Sequence, residues 1–417
     1  MPARRILTAL ALLFACPLAI AQQPPKHPPA SSQLPERESR TLAPGVVYTH
    51  ILRSTPAGEP WSIHVLEMQR GLRGLQLEAV RAVPPGTEMR RELPTVMAES
   101  VARSGVEVLG VVNGDFDLGQ PYLGISDGLD VSSGYVFTTG KSSWPAMAVL
   151  RSGQPLIDVP QVLIEATAGK RRWRLGALNK PLGSQHGGIG RLFTRDFRST
   201  VRSEKPFRAV VLTAPRPRLP LRLGSRVSAR VAELRENQTE VEIPPGAMVI
   251  AEPQESKSGL AELRRGEKVK VRIEASLQGQ TGILHAIGGF PILVLEGQKR
   301  ILGSPGEYLS RRHPRTAVCY NDRAILFAVV DGRQPQLSVG MTLDELADLM
   351  VSLGCRTAMN TDGGGSSVMA VRTEPDAASA ADFRRAASAP SRLKIVNSPS
   401  DGQERGRGNA WIIVRKR

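Results

Sequence analysis

Twice in this chain a short apolar run ends on the same polar signature. Residues 106–112 run into Asn113-Gly114-Asp115-Phe116, and residues 356–359 run into Asn360-Thr361-Asp362. Each run follows a stretch with helical spacing and then a glycine. Val96, Met97 and Val101 mark the first helix, over 95–103, before Ser104-Gly105. The second opens on Thr342 with Glu345 three residues on, a capping box, and its face is Leu343, Leu346, Ala347, Met350 and Leu353 before Gly354. Side chains two apart on an extended segment point the same way, so each Asn-x-Asp aims an amide and a carboxylate together. Alone, Asn-Gly-Asp is ordinary turn chemistry. Repeated with its helix and strand, it predicts two exits side by side, lining one cleft.

The strand expected at 324–330 stops at the turn Asp331-Gly332-Arg333. With the helix at 342–354 and the strand at 356–360 it reads as a right-handed parallel crossover. Ligands gather beyond the carboxyl ends of such strands, where Asp331, Arg333, Asn360 and Asp362 emerge. Further strands are expected at 46–52, 62–66, 75–80, 144–149, 292–295, 393–397 and 410–414. His64 lies in one of them, and a lone histidine there is more often packed or solvated than a ligand, so it is given no role. Gly288-Gly289 predicts a close backbone approach. Residues 120–144 read as a loop over the site, in which Lys141 and Trp144 are candidates to meet a phosphate and a sugar face. The whole predicts an α+β fold, a mixed β-sheet core with helices packed on it, in one domain over 41–417 with a β-rich elaboration at about 161–280.

Arg4 and Arg5 precede the apolar run 6–15, and Ala19-Ile20-Ala21 is a small-x-small cleavage signal, so residues 1–21 read as a signal peptide and 22–40 as a disordered leader. The expected location is the periplasm or the exterior, without stable membrane insertion; lipoprotein anchoring at Cys16 ranks second. The formal charge of +16, or +14 once Arg4 and Arg5 leave, concerns partners more than fold. Nucleic acid fits poorly, because aromatics are 4% and no helix-turn-helix, zinc-finger or RNA-binding pattern occurs. An anionic polysaccharide or sugar phosphate fits an exported protein better, beside a plain solvated basic surface. Cys319 and Cys355 either pair or stay as small buried hydrophobes. No CxxC or HxxxH spacing supports a metal, and no cofactor is expected.

The run Asp362-Gly363-Gly364-Gly365-Ser366-Ser367 offers consecutive N–H groups as an anion nest, with Arg315 and Arg333 to neutralise phosphate oxygens. These residues, with Asn113-Gly114-Asp115-Phe116, Gly288-Gly289-Phe290-Pro291, Arg315-Thr316-Ala317, Val330-Asp331-Gly332-Arg333 and the helix at 342–354, resemble the phosphodiester glycosidase family, whose bacterial members are often labelled exopolysaccharide biosynthesis proteins. Asp117 departs from the family pattern, which usually has a second aromatic there. The resemblance implies cleavage between an anomeric carbon and a phosphodiester. Such chemistry needs a carboxylate as nucleophile or base. Asp362 is the first candidate, then Asp115 and Asp331. Asn113, Gly114, Asn360, Gly363, Gly364, Gly365 and Ser366 would hold substrate with the two arginines. The alternative is a non-catalytic protein that binds anionic exopolysaccharide.

Overall fold

The computed structural model describes residues 37–416 except 103–105, 184–189, 215–218, 304–305, 307–309 and 374–392. The expected signal segment with Cys16, residues 22–36 and Ser104-Gly105 lie outside the described residues. Residues 37–40, the end of the expected leader, open the strand Arg37–Ala43.

The central sheet has eight strands. Its order is Arg37–Ala43, Val46–Ser54, Pro60–Gln69, Ala324–Val330, Arg315–Tyr320, Thr357–Asn360, Ile292–Leu295 and Gln298–Leu302, every neighbouring pair antiparallel. A five-stranded antiparallel sheet, in the order Leu393–Ile395, Met369–Arg372, Glu107–Asn113, Asn409–Arg415 and Leu75–Arg81, packs against it. Between them Leu66, Phe327, Val329 and Met359 meet Leu109, Val112, Met369 and Trp411, all buried. Burial on this scale contributes ~1.5–3 kcal/mol per large side chain.

Helix α1 (Pro94–Ala102) sets Met97 and Ala98 on the outer face of the smaller sheet, against Val108, Val111 and Ile412. Helix α2 (Leu343–Ser352) sets Leu343, Leu346, Ala347 and Met350 on the outer face of the central sheet. Its capping box forms: the Glu345 amide donates to Thr342 Oγ1 at 3.1 Å, and the Thr342 amide to Glu345 Oε2 at 2.9 Å. Cys319 and Cys355 form a disulfide, so of the two readings left open they pair.

The α+β expectation is corrected. The described residues are 52% strand and 8% helix, with α1 and α2 their two α-helices. One helix announced itself through its capping box and the other through its spacing, whereas strands buried on both faces read as unpatterned apolar runs. The sheet is not mixed either. Ala324–Val330 and Thr357–Asn360 do point the same way, but Arg315–Tyr320 lies between them, antiparallel to both. A tight turn puts it there: Asn321 Oδ1 accepts from the Arg323 and Ala324 amides, both at 2.9 Å. The consequence for the site survives, since both strands still end at one edge.

Residues 161–276 build a second eight-stranded sheet, in the order Arg171–Leu175, Gln161–Ala168, Lys268–Ser276, Arg226–Glu242, Thr200–Thr213, Ala247–Pro253, Arg191–Thr194 and Ala177–Leu178. Only its last pair is parallel among the described ladders.

Candidate active site

The two Asn-x-Asp exits meet. Glu107–Asn113 pairs with Met369–Arg372, so the chain leaving Asn360 turns through its glycines and returns beside the first exit. Asn113 Nδ2 donates to the Asp362 carbonyl at 2.7 Å, while its Oδ1 accepts from Thr316 Oγ1 at 2.9 Å and the Val368 amide at 3.1 Å. The Asp362 amide donates to the Gly114 carbonyl at 3.3 Å. Gly114 must lack a side chain, because a Cβ there would stand 2.0 Å from Asn409 Oδ1. Asn113 and Gly114 thus hold the two strands together.

The three candidate aspartates sit in different surroundings. Asp331 is buried and fully engaged: Oδ2 accepts from Ser62 Oγ and faces His64 Nε2, both at 2.9 Å, and Oδ1 accepts from Asn397 Nδ2 at 3.1 Å and the Ser398 amide at 2.8 Å. Asp115 is equally buried. Its Oδ2 accepts from Ser126 Oγ and the Gly128 amide, and its Oδ1 from the Phe116 amide at 2.8 Å. Burial pushes its carboxyl up to about 7, against those hydrogen bonds and with help from neighbouring Asp127. Asp362 differs, since its side chain keeps 14% exposure and its Oδ2 pairs with Arg407 Nη2 at 2.7 Å. Burial raises its pKa, opposed by Arg407 and by a hydrogen bond from Ser366.

Arg407 is the hub that sequence reasoning missed. Besides Asp362 it reaches Ser366 Oγ at 3.1 Å, the Asp115 carbonyl at 3.2 Å and Asp117 Oδ1 at 3.4 Å, so one buried guanidinium ties both exits. Asp117, the departure from the family pattern, is thereby a second carboxylate beside the Asp362 ion pair. A usable signal was present: Gly406-Arg407-Gly408-Asn409 puts an arginine between glycines directly before the strand Asn409–Arg415, and a Cβ on Gly408 would lie 2.2 Å from the Gly124 carbonyl oxygen.

The glycine turn is partly spent on the fold. The Gly364, Ser366 and Ser367 amides donate to the carbonyls of Pro314, Gly363 and Gly364 at 2.8, 3.2 and 3.1 Å. What the glycines provide is room for guanidinium groups. A Cβ on Gly364 would stand 3.1 Å from Arg333 Nη2, and one on Gly365 would stand 2.3 Å from Arg405 Nη2. Arg333 is exposed and sits at φ 60°, a left-handed conformation a non-glycine residue holds only when its surroundings impose it. Its Nη2 lies 3.3 Å from His313 Nδ1. Arg315 is placed differently, buried beneath the turn with its guanidinium donating to the Met341 and Arg311 carbonyls at 2.9 and 3.0 Å.

Beside this edge stand three half-buried aromatics. Trp144 stacks on Phe290 at 4.9 Å between ring centroids and meets Phe116 edge-on at 5.9 Å, with Lys141 Nζ 4.7 Å over the indole. Asn360 connects them to the exits by donating from Nδ2 to the Phe290 carbonyl at 2.7 Å, and its buried Oδ1 has no partner among the described residues. Gly288 and Gly289 do bring backbones close, for a Cβ on Gly288 would lie 2.6 Å from Gly128 Cα and one on Gly289 would lie 2.5 Å from the Asn360 carbonyl oxygen. Concavities of about 730, 730 and 840 Å³ elsewhere among the described residues are lined by other segments.

Comparison with known proteins follows this geometry. No curated protein matches the chain in sequence. Among solved structures, a hypothetical protein from Synechocystis is similar in fold, with a TM-score of 0.70, 15% identity and 92% of this chain covered; the chain spans 64% of that protein's length. A Burkholderia pseudomallei protein provisionally named as exported has a TM-score of 0.61, 20% identity and coverage of 87% of this chain and 75% of its own. The catalytic domain of zebrafish N-acetylglucosamine-1-phosphodiester alpha-N-acetylglucosaminidase, described as auto-inhibited by its pro-peptide, has a TM-score of 0.45 at 14% identity, over 93% of this chain and 86% of that one. Residues 225–414 match the family model described as phosphodiester glycosidase. The resemblance read from the motifs is therefore matched by the family model over the segment that holds Asp331, Arg333, Asp362 and Arg407.

Proposed function

We propose that the protein hydrolyses the bond between a sugar's anomeric carbon and a phosphodiester, with Asp362 as the carboxylate at the reacting carbon. One observation carries this reading. Of the three strand-exit aspartates, Asp362 alone combines an accessible side chain with a charged partner, Arg407, and it lies two residues from the glycine over which Arg333 is held.

Arg333 and Arg405 would take the phosphate oxygens, Arg333 by two parallel contacts that only a planar guanidinium can make. The sugar ring would lie on Trp144 and Phe290, with Asn360 Oδ1 accepting from a hydroxyl. Attack at the anomeric carbon by Asp362, or by water that Asp362 deprotonates, breaks the carbon–oxygen bond and releases a phosphomonoester. Water then supplies the oxygen left on the sugar. Asn113 acts by fixing the Asp362 carbonyl, and so positions the carboxylate without touching substrate. Export of the mature chain belongs to the same proposal, supported by residues 1–21; amino-terminal sequencing of protein recovered from cell fractions checks it.

Hydrolysis of a sugar 1-phosphodiester in ¹⁸O-labelled water tests the reaction. Label is expected in the sugar. Label in the phosphate would mean phosphorus–oxygen cleavage, and no turnover of any such substrate would favour a protein that only binds acidic glycans.

A further inference from the structure

We propose that the outward face of the second eight-stranded sheet is a docking surface for an acidic polysaccharide, separate from the strand-exit site. The sequence marks this region only as a β-rich elaboration at about 161–280, and the structure shows how its charge is arranged. Gln161–Ala168, Arg171–Leu175, Arg226–Glu242 and Lys268–Ser276 are neighbours in the sheet, and where they pair their residues alternate between buried and solvent-facing. The inward set, including Ile164, Trp173, Val227 and Val271, fills a hydrophobic core. On the outer face Arg172, Arg174, Arg226, Lys268, Lys270 and Arg272 come together.

Three features separate this face from an ordinary solvated one. It is concave, a basin of about 730 Å³ lined by five of those cations and a single carboxylate, Glu165. Like charges face each other across strands, Arg226 opposite Arg272 and Arg230 opposite Lys268, an arrangement that costs stability and that a surface kept only for solubility avoids. Compensation is also incomplete. Arg172 pairs with Glu165 and Arg272 with Glu274, but Arg174, Arg226 and Lys270 have no ion pair among the described residues.

The spacing selects the ligand. Rows about 5 Å apart across strands and about 7 Å apart along them present a grid of cations that suits a polymer with regularly repeated acidic groups. The one tryptophan of these strands, Trp173, is buried in the core, so single-stranded nucleic acid has nothing to stack on. The face also lacks the exposed large apolar side chains that would enter a lipid surface.

Binding of dextran sulfate to the whole protein, measured against salt beside uncharged dextran, an oligonucleotide and phosphatidylglycerol vesicles, tests the proposal. Dextran sulfate should bind with a steep salt dependence and plain dextran should not. Combining Arg174→Glu, Arg226→Glu and Lys270→Glu should weaken binding at least tenfold and lower the salt slope by about two. Hydrolysis of a small sugar 1-phosphodiester should not change, so this result stands or falls independently of the reaction assigned to Asp362. The pair Arg174→Gln and Lys270→Gln, which adds no acid to the sheet, repeats the test should the triple variant not fold. Unchanged affinity in a folded variant, or tighter binding of oligonucleotide or vesicles than of dextran sulfate, would overturn the proposal.

Discussion

Asp331 and Asp362 leave two strands that point the same way in one sheet, yet the fold uses them in opposite ways. Asp331 is closed in by four donors from Ser62, His64, Asn397 and Ser398. Asp362 keeps part of its surface and has two partners, the Arg407 guanidinium and a hydrogen bond from Ser366. A carboxylate whose lone pairs are all engaged in the ground state must break those bonds before it can attack or accept a proton. One held by an ion pair and a single hydroxyl, and still partly exposed, keeps lone-pair capacity to offer. Position at a strand end marked both residues as candidates, and the number of fixed donors distinguishes them.

The largest effect should therefore fall on Asp362→Asn. Asparagine keeps the size and removes the charge, so kcat should fall at least ~100-fold while the melting temperature stays nearly constant. Arg407 retains Ser366, Asp117 and the Asp115 carbonyl, which limits the structural cost. Full activity in this variant would break the comparison and leave Asp362 as the cap of its turn.

Asp331→Asn should do the reverse. One amide cannot accept from donors on both sides, so its NH₂ group must face either Ser62 and His64 or Asn397 and Ser398. Loss of hydrogen bonds to a buried charged acceptor costs about 2 kcal/mol, and chemical denaturation should show it. Turnover per folded molecule should change little. A variant of normal stability without turnover would move the catalytic carboxylate to Asp331.

Arg333→Lys sharpens the comparison from the substrate side. The lysine keeps the charge but loses the two-point contact over Gly364, so KM for a phosphodiester should rise ~10-fold with kcat and melting temperature almost unchanged. Unfolding, or an unaltered KM, would show that the strained backbone at this residue serves the fold.

Much of this edge was legible because its signals are local. The capping box at Thr342, the stop at Gly354 and the paired Asn-x-Asp exits depend on residues within a few positions of one another, and each marks an element or a junction that the structure contains. What stayed hidden depends on long-range pairing. His64 reads as an apolar-strand histidine until Pro60–Gln69 is laid beside Ala324–Val330, when it faces Asp331. Arg407 lies far in sequence from the turn it controls, beyond a stretch of Ala, Ser and Pro that reads as loose chain. The β-rich architecture was missed for the same reason, since ladder partners are set by tertiary contact while helix caps are written in neighbouring residues. The surroundings of Arg315 were equally hidden, as a buried guanidinium bonding backbone carbonyls looks the same in sequence as an exposed one.

The smallest effect concerns Asp115, whose carboxyl is pushed up to about 7 by burial. In the unfolded chain it titrates near the ordinary aspartate value of about 3.9. Between those values the folded protein holds a proton that the unfolded chain has released, so stability falls as pH rises through this window and levels off above it. Asp115→Asn cannot ionise and should remove that part of the slope. Unfolding free energies of both proteins at pH 5 and pH 7 read the difference directly. Equal slopes would mean that Asp115 is ionised in the fold, held by Ser126, the Gly128 amide and nearby Lys180, whose own pKa burial brings down to about 8. Asp115 would then join Asp362 as an ionised carboxylate at the exits, and the contrast would be between Asp331 and a pair.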